Sequence, residues 1–294
     1  MLEESVPVMP LFLLMVRINI ALKLKVVGMK LFLILNVAIG LATFCSPAIC
    51  ESIAPGDDTD SGTDGGAVHY TFVIVHGASG GGWDWRTMDE LLTTGGHTVY
   101  RPTLTGLGEK VHLANADIDL TTHIDDVANV ILFEGLDEVV LVGHSYGGMV
   151  ITGVMDRIPE RIKHAVFLDA AVPDDGMSAQ DQWSTIVSEN KVVDGMVYFN
   201  WLDSSAPLPR DVPQSLKTLT EPVSFDHPAA QKLPATFVAF VEPGQTIKER
   251  AADSAWQRAE ARNWTILTLQ SDHNAQRSHP EELAAILVAA PRGN

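Results

Sequence analysis

Six apolar runs recur along the chain after residue 68 and predict β-strands: residues 70–77, 98–104, 138–145, 164–172, 235–242 and 264–271. These runs are apolar on both faces, which is typical of strands covered by helices on both sides of a parallel sheet. Amphipathic stretches between them predict helices at about 83–95, 121–134, 147–158, 247–262 and 279–290. This alternation predicts an α/β fold with a doubly wound, mostly parallel sheet of about six strands.

Residues 173–233 interrupt the alternation. They contain no clear strand, several prolines and the large aromatic residues Trp183, Tyr198, Phe199 and Trp201. A long irregular segment inside a compact domain is usually functional. We therefore expect an inserted lid over the carboxyl edge of the sheet, and we expect these aromatic side chains to contribute to substrate binding.

The amino-terminal part of the chain has a different composition. From Met29, which is a candidate for the true start, a lysine, an apolar run and small residues follow in the order of a secretory signal peptide. The apolar run 31–44 is short for a membrane span. Residues 51–67 are acidic and rich in glycine and serine, which predicts a disordered linker. We expect a leader at 1–50 and a folded domain at 68–294, exported to the periplasm or secreted after cleavage and without stable membrane association.

The charge and the cysteines narrow the classes of function. The formal net charge is −17, and the residues after the first fifty carry 16 basic and 35 acidic side chains, or −19. Such a surface repels nucleic acids and anionic membranes, so we expect no nucleic-acid partner. Both cysteines, Cys45 and Cys50, lie in the expected leader. The domain therefore has no cysteine nucleophile, disulfide or thiolate metal site.

The stretch VLVGHSYGGMV, residues 140–150, places a serine between glycines where a predicted strand turns into a predicted helix. Gly143 to Gly147 match the G-x-S-x-G pattern of a nucleophile elbow, with Ser145 at its centre. The elbow is a strained turn, and glycines avoid side-chain clashes in it. The start of a helix also favours developing negative charge. The pattern predicts Ser145 as a catalytic nucleophile.

A serine nucleophile needs a general base. In an α/β fold with such an elbow, the base lies in the loop after the last strand, where the sequence reads QSDHNAQRSHPEEL. His273 is the candidate in this loop. His279 is its rival, but it precedes Pro280 and opens the final helix. We therefore predict His273 as the base.

Backbone amides are expected to form the oxyanion hole, which stabilises negative charge on the substrate oxygen. The turn after the first strand reads VHGASGGGW, and such turns supply N–H groups. We assign this role to the amides of Ala78 and Tyr146. Ser79, in the same turn, is a candidate substrate-binding residue.

Two carboxylates compete for the role of the acid that orients the histidine. In α/β folds with such an elbow, this acid usually follows the strand that corresponds to 235–242 here. At that place Glu242 precedes Pro243, and there is no aspartate. The other known position is one strand earlier, where Asp169 lies near the end of the strand 164–172. We favour Asp169, and Glu242 is the alternative.

Together these segments resemble the α/β-hydrolase superfamily, and more closely its branch of plant methylesterases, hydroxynitrile lyases and bacterial relatives. The resemblance spans residues 70–290 and rests on VHGASGGGWDW, RPTLTGLGEKVHL, DIDLTTHIDDV, LVGHSYGGMV, VFLDAAVPDDG and DHNAQRSHPEELA. The plant enzymes carry the acid where Pro243 stands here and an uncharged residue where Asp169 stands. This difference is the one expected if the acid had moved from the end of the strand 235–242 to the end of the strand 164–172.

The resemblance implies an esterase-type serine hydrolase. It would cleave a small-molecule carboxylic ester or lactone through an acyl-enzyme, without a metal or an organic cofactor. One alternative is a hydroxynitrile lyase or carbon–carbon bond hydrolase on the same triad, but such lyases carry a lysine just after the acid, and the nearest lysine here is Lys248. Another alternative is a non-catalytic small-molecule receptor. The sequence does not determine the oligomeric state.

Overall fold

The computed structural model describes residues 68–292. The leader and the linker expected at 1–67 lie outside the described residues. The strands are β1 (Thr71–Val75), β2 (Thr98–Tyr100), β3 (Val139–His144), β4 (Ile162–Leu168), β5 (Lys191–Val193), β6 (Met196–Tyr198), β7 (Gln214–Ser215), β8 (Ala235–Val241) and β9 (Thr265–Gln270). The helices are α1 (Arg86–Thr94), α2 (Leu120–Phe133), α3 (Gly147–Arg157), α4 (Ala179–Gln182), α5 (Lys217–Thr220), α6 (Ile247–Arg250), α7 (Ser254–Ala261), α8 (Ala275–Ser278) and α9 (Pro280–Ala289). No helix within 68–292 is long and apolar enough to cross a membrane.

Six of the strands form one parallel sheet in the order β2-β1-β3-β4-β8-β9. Successive side chains of a strand point to opposite faces, so each central strand feeds two cores. In β3, Leu141 packs in the core with α2 and α3, and Val142 packs in the core with α1 and α9. Helices thus cover both faces. The doubly wound parallel sheet of about six strands that the alternating pattern predicts is confirmed, and so is the α/β-hydrolase fold that the resemblance implies.

The segment between β4 and β8 corrects one expectation. The sequence shows no clear strand at 173–233, but β5, β6 and β7 form a small antiparallel sheet there. These strands are two or three residues long, too short for an alternating hydrophobic pattern to show. The helix predicted at 247–262 is also interrupted, because α6 ends at Arg250 and α7 begins at Ser254.

Helix α3 begins unusually close to the loop that follows β4. A Cβ atom added to Gly148, in its first turn, would overlap the carbonyl oxygen of Ala171 and lie 3.0 Å from the Cβ of Ala170. The Ala171 amide also donates a hydrogen bond of 3.0 Å to the carbonyl oxygen of Ser145. Glycine at this position therefore lets the carboxyl ends of β3 and β4 pack backbone against backbone.

Replacing Gly148 with alanine should lower the free energy of unfolding by about 1–3 kcal/mol, because the new methyl group must displace backbone. Helix propensity by itself favours alanine over glycine by about 1 kcal/mol. A loss of stability in this variant would therefore come from the steric overlap. Urea unfolding followed by circular dichroism measures it. Gly80→Ala is the matched control, because a Cβ there meets nothing nearer than 3.7 Å. Equal stability of the two variants would contradict the prediction.

Candidate active site

Ser145 lies at the turn between β3 and α3 and is half-buried. Its φ of 53° is in the left-handed region that residues other than glycine rarely adopt. Backbone hydrogen bonds hold it there: its amide donates to the Leu168 carbonyl at 3.2 Å, and its carbonyl accepts from Gly148 at 3.0 Å. Such strain persists only where the surroundings enforce it, and it is common at functional sites.

The glycines on both sides of the serine are sterically required. A Cβ on Gly143 would lie 2.8 Å from the carbonyl oxygen of Gly147, and a Cβ on Gly147 would lie 2.6 Å from that of Val75. Across the turn, a Cβ on Gly77 would lie 3.1 Å from the Cβ of Ser145. The elbow is therefore pressed against the turn after β1, where the oxyanion hole is expected.

His273 and Asp169 meet across the carboxyl edge of the sheet. The Nδ1 atom of His273 lies 2.5 Å from Oδ2 of Asp169. Asp169 directly follows β4 with a φ of 44°, and its amide donates to the Val238 carbonyl at 2.8 Å. Glu242, the alternative acid, is exposed and makes no hydrogen bond to His273. Of the two carboxylates, only Asp169 contacts the histidine.

A cavity of about 1050 Å³ opens at this edge of the sheet, and Ser145, His273 and Asp169 all line it. Within residues 68–292 the Ser145 hydroxyl has no hydrogen-bond partner. His273 bonds to Asp169 and His144 there, and not to Ser145. Catalytic hydrogen bonds are often loose without substrate and tighten when it binds. In the same range, no group of three or more histidine, cysteine or acidic side chains is placed to hold a metal ion.

Asp169 lies in a site that favours its charged form. Burial by itself would raise the pKa of this carboxyl group. The hydrogen bond and charge of His273 and the charge of Arg250 outweigh burial and lower the pKa of Asp169 below its usual value. Arg250 reaches Asp169 from α6 and forms an ion pair with Oδ1. The carboxylate is thus held ionised, with one oxygen for each partner.

Two further histidines support the site without titrating near neutral pH. Burial lowers the pKa of His144 to about 3, and its Nε2 atom donates to the carbonyl oxygen of His273 at 2.8 Å. Burial lowers the pKa of His76 to about 4. Its Nδ1 donates to the Gly77 carbonyl at 2.8 Å, and its Nε2 accepts from the Leu104 amide at 3.1 Å. His144 fixes the loop of His273, and His76 fixes the turn after β1.

The two residues whose amides are predicted to form the oxyanion hole lie at the same cavity. Ala78 and Tyr146 both line it. Neither amide donates a hydrogen bond to another residue in the part of the chain that the structure describes. Backbone N–H groups are nearly always paired when buried, so two free ones at a cavity are available to a ligand. The arrangement can bind a developing oxyanion beside Ser145.

The predicted substrate-binding residues divide into two groups. Trp183 and Trp201 line the cavity, and Ser79, Tyr198 and Phe199 do not. Phe199 is buried and stacks on Trp201 with ring centroids 4.3 Å apart, whereas Tyr198 is exposed on β6. Ser79 is fully buried, and its hydroxyl accepts a hydrogen bond from Nε1 of Trp201 at 3.0 Å. The structure therefore places Ser79 and Phe199 against Trp201 and Tyr198 toward solvent, all three outside the cavity lining, and their part in substrate binding stays a prediction.

Two contacts at the site were not anticipated from the sequence. The first is the ion pair between Arg250 and Asp169. Arg250 belongs to the predicted helix 247–262, where a basic side chain is usually solvated. Asp84 accepts hydrogen bonds from Gln276 and Arg277, which tie α8 to the turn after β1. Each contact joins residues far apart in the chain, so no local pattern marks it.

The sequence profile described as the alpha/beta hydrolase family matches residues 72–286. This chain belongs to the alpha/beta hydrolase family. The match includes the elbow, the turn after β1 and the loop after β9, so the cavity lies wholly within the family's domain.

The relatives that it resembles are esterases and methylesterases. The chain is 54% identical over 107 residues to a carbendazim hydrolyzing esterase of Nocardioides sp. (strain SG-4G), a match covering 36% of this chain and only 44% of that protein. It is 29% identical over 270 residues to the pFDCC methylesterase of Arabidopsis thaliana, covering 78% of this chain and 97% of that protein. Among solved structures, an extracellular alpha/beta-hydrolase from a Paenibacillus species superimposes with a TM-score of 0.61 at 23% identity, over 75% of this chain and 98% of that one. That likeness shows the fold.

Trp183→Ala should shift the preference among nitrophenyl esters toward longer acyl chains, because it removes an aromatic wall from the cavity. We expect the ratio of kcat/KM for octanoate to that for acetate to rise about tenfold, the scale of a small change in an apolar pocket. Tyr198→Ala is the control, since Tyr198 is exposed and does not line the cavity. An equal shift in both variants would show that the ratio does not report on the cavity wall.

Proposed function

We propose that this chain is a serine hydrolase that cleaves a small-molecule carboxylic ester or lactone through an acyl-enzyme intermediate. The observation that carries the proposal is the hydrogen bond between His273 and Asp169 in the cavity that also contains the strained Ser145. A nucleophile, a base and an acid that orients the base are the three groups that such chemistry needs. The esterase and methylesterase relatives support the same class of reaction.

The protonation states suit the first step. Asp169 is held as a carboxylate, so Nδ1 of His273 carries the proton between them. In the neutral imidazole, Nε2 is therefore the unprotonated nitrogen, and it can accept the proton of the Ser145 hydroxyl as Oγ attacks the substrate carbonyl. The C=O π electrons move to the oxygen, and the Ala78 and Tyr146 amides stabilise its negative charge.

The remaining steps restore the enzyme. The tetrahedral intermediate re-forms the carbonyl and breaks its bond to the leaving oxygen, which takes the proton from Nε2 of His273. This releases the alcohol and leaves the acyl group on Ser145. A water molecule then attacks the acyl carbonyl while His273 accepts its proton, and collapse returns that proton to Oγ and releases the carboxylic acid. One ester and one water give one acid and one alcohol. For a lactone, the two products stay in one molecule.

The cavity supports a substrate with an apolar or aromatic group. Trp183 and Trp201 supply flat apolar surface on its walls, which suits an aromatic acyl or alcohol portion. One relative is named for hydrolysis of carbendazim, so carbendazim belongs in the first panel of substrates beside methyl esters of aromatic acids. A lyase is a weaker proposal, because Lys248 is not among the cavity-lining residues.

Ser145→Ala should reduce ester turnover by about 10⁶-fold, the scale on which serine proteases lose activity without the nucleophile. The fold should persist, because the change removes one half-buried hydroxyl. Nitrophenyl acetate hydrolysis measures turnover, and labelling by a fluorophosphonate followed by peptide mass spectrometry identifies the modified serine. Ser224→Ala is the control, since Ser224 is exposed and its hydroxyl donates a hydrogen bond to Asp156, away from the cavity. Labelling at any serine other than Ser145 would refute the assignment of the nucleophile.

Asp169→Asn should lower kcat by about 10⁴-fold, because the amide no longer stabilises the imidazolium that forms at His273. Glu242→Gln should cost far less, because Glu242 makes no contact with His273 in the structure. Steady-state kinetics of the two purified variants on one ester decides between these carboxylates. A large loss only in Glu242→Gln would transfer the role of the acid to Glu242, and negligible loss in both would exclude both from it.

A further inference from the structure

Arg250 lies at the end of α6 with its side chain only 8% exposed. All three nitrogens of its guanidinium group have a partner. Nε donates to the Phe240 carbonyl at 3.0 Å, Nη1 bonds to Asp253, and Nη2 bonds to Oδ1 of Asp169. The guanidinium carbon also lies 5.6 Å from the centre of the Phe237 ring. These contacts fix the guanidinium from several sides, so it presents one nitrogen to Asp169 in a defined direction.

The carboxylate of Asp169 needs such a partner. Its side chain is 16% exposed, and an ionised carboxylate that is mostly buried is unstable unless it is paired and hydrogen-bonded. His273 contacts only Oδ2. Without Arg250, Oδ1 would have no charged donor and the carboxyl group could rotate about its Cβ–Cγ bond, changing the direction in which Oδ2 faces the imidazole.

We infer that Arg250 is a positioning residue for Asp169: by holding Oδ1, it keeps the carboxylate ionised and directs Oδ2 at His273. This inference rests on the proposed function. Arg250 comes from α6, the segment after β8, whereas Asp169 follows β4.

A direct role for Arg250 in binding substrate fits the contacts less well. Each of its nitrogens already donates to a protein oxygen, and the side chain is almost fully covered. A group that positions the acid should change kcat and leave KM nearly constant, whereas a group that binds the ground state of the substrate should change KM. The two roles are therefore separable by kinetics.

The pH dependence offers a second readout. His273 after β9 and Arg250 in α6 contact Asp169 directly. Asp253, before α7, pairs with Arg250, and the buried His144 at the end of β3 also interacts with the charge of Asp169. A carboxyl group with a lowered pKa stays ionised until the pH falls through that lowered value. Asp169 and His273 are in contact and titrate as a coupled pair. Removing the cation takes away a charge that favours the unprotonated form of this pair, so activity should be lost at a higher pH as the solution is acidified.

The experiment compares Arg250→Met, Arg250→Lys and Arg262→Met on one nitrophenyl ester. Arg262 is the matched control: its guanidinium is also largely buried, stacks over Phe225 and Trp264 and pairs with Asp174, but it does not line the cavity. We expect Arg250→Met to lower kcat about 10- to 100-fold, by analogy with outer partners of metal ligands, with KM nearly unchanged and the acid limb of kcat/KM moved to higher pH. Arg262→Met should lower the free energy of unfolding and leave kcat, KM and the pH profile near those of the wild type.

Arg250→Lys separates charge from direction. A lysine keeps the positive charge but cannot reproduce the planar fork, so we expect the acid limb to stay near that of the wild type while kcat is partly lost. This variant also keeps the inference testable if Arg250→Met does not fold. Wild-type kcat and pH profile in Arg250→Lys, or a raised KM with unchanged kcat in Arg250→Met, would overturn the inference.

A double variant tests whether Arg250 acts through Asp169. If it does, Arg250→Met should cost little further kcat once Asp169 is asparagine, because the carboxylate that it positions is gone. Losses that multiply would show that Arg250 acts elsewhere and would overturn the inference, while leaving the proposed serine hydrolase intact. Full activity of Asp169→Asn alone would instead remove the acid from the proposed function, and the inference with it. The two failures are therefore distinguishable.

Discussion

The close packing of backbone at the carboxyl ends of β3 and β4 is the constraint on which the site depends. The Ser145 amide bonds to the carbonyl of Leu168, the Ala171 amide bonds to the carbonyl of Ser145, and the Asp169 amide bonds to the carbonyl of Val238. Ser145 and Asp169 both have positive φ, at 53° and 44°. Each of these strained residues is held by hydrogen bonds to a neighbouring strand, so the strain is supported by the sheet itself.

This constraint explains how Asp169, a residue that follows β4, comes to contact His273. The two strands are adjacent and parallel, so the residues that follow them emerge side by side at one edge of the sheet. The loop after β9 brings His273 to the same edge, where its carbonyl bonds to His144 and its ring bonds to Asp169. The carboxyl edge of a parallel sheet is where ligands bind in open α/β folds.

Buried titratable groups at the site are neutral or charged according to whether an oppositely charged partner contacts them. His76 and His144 are buried and uncharged near neutral pH, with pKa values lowered to about 4 and about 3, so each serves as a fixed hydrogen-bonding group in a turn. Asp169 is also mostly buried, yet it stays charged because Arg250 and His273 both contact it. Burial thus produces opposite protonation outcomes, and the difference is whether an oppositely charged partner is present.

The sequence by itself determined the sheet and the positions of the elbow and of the loop that carries His273, because these depend on local hydrophobic pattern, glycines and the order of elements. It left two acids open, since Asp169 and Glu242 both stand near strand ends and only the distance to His273 separates them. The tertiary structure also decided that Phe199 is buried in the core and that Trp201 lines the cavity, although the sequence predicts the same role in the lid for both. Arg250 was found only in the fold, because its contact with Asp169 joins residues 81 positions apart and leaves no periodic signal in the chain.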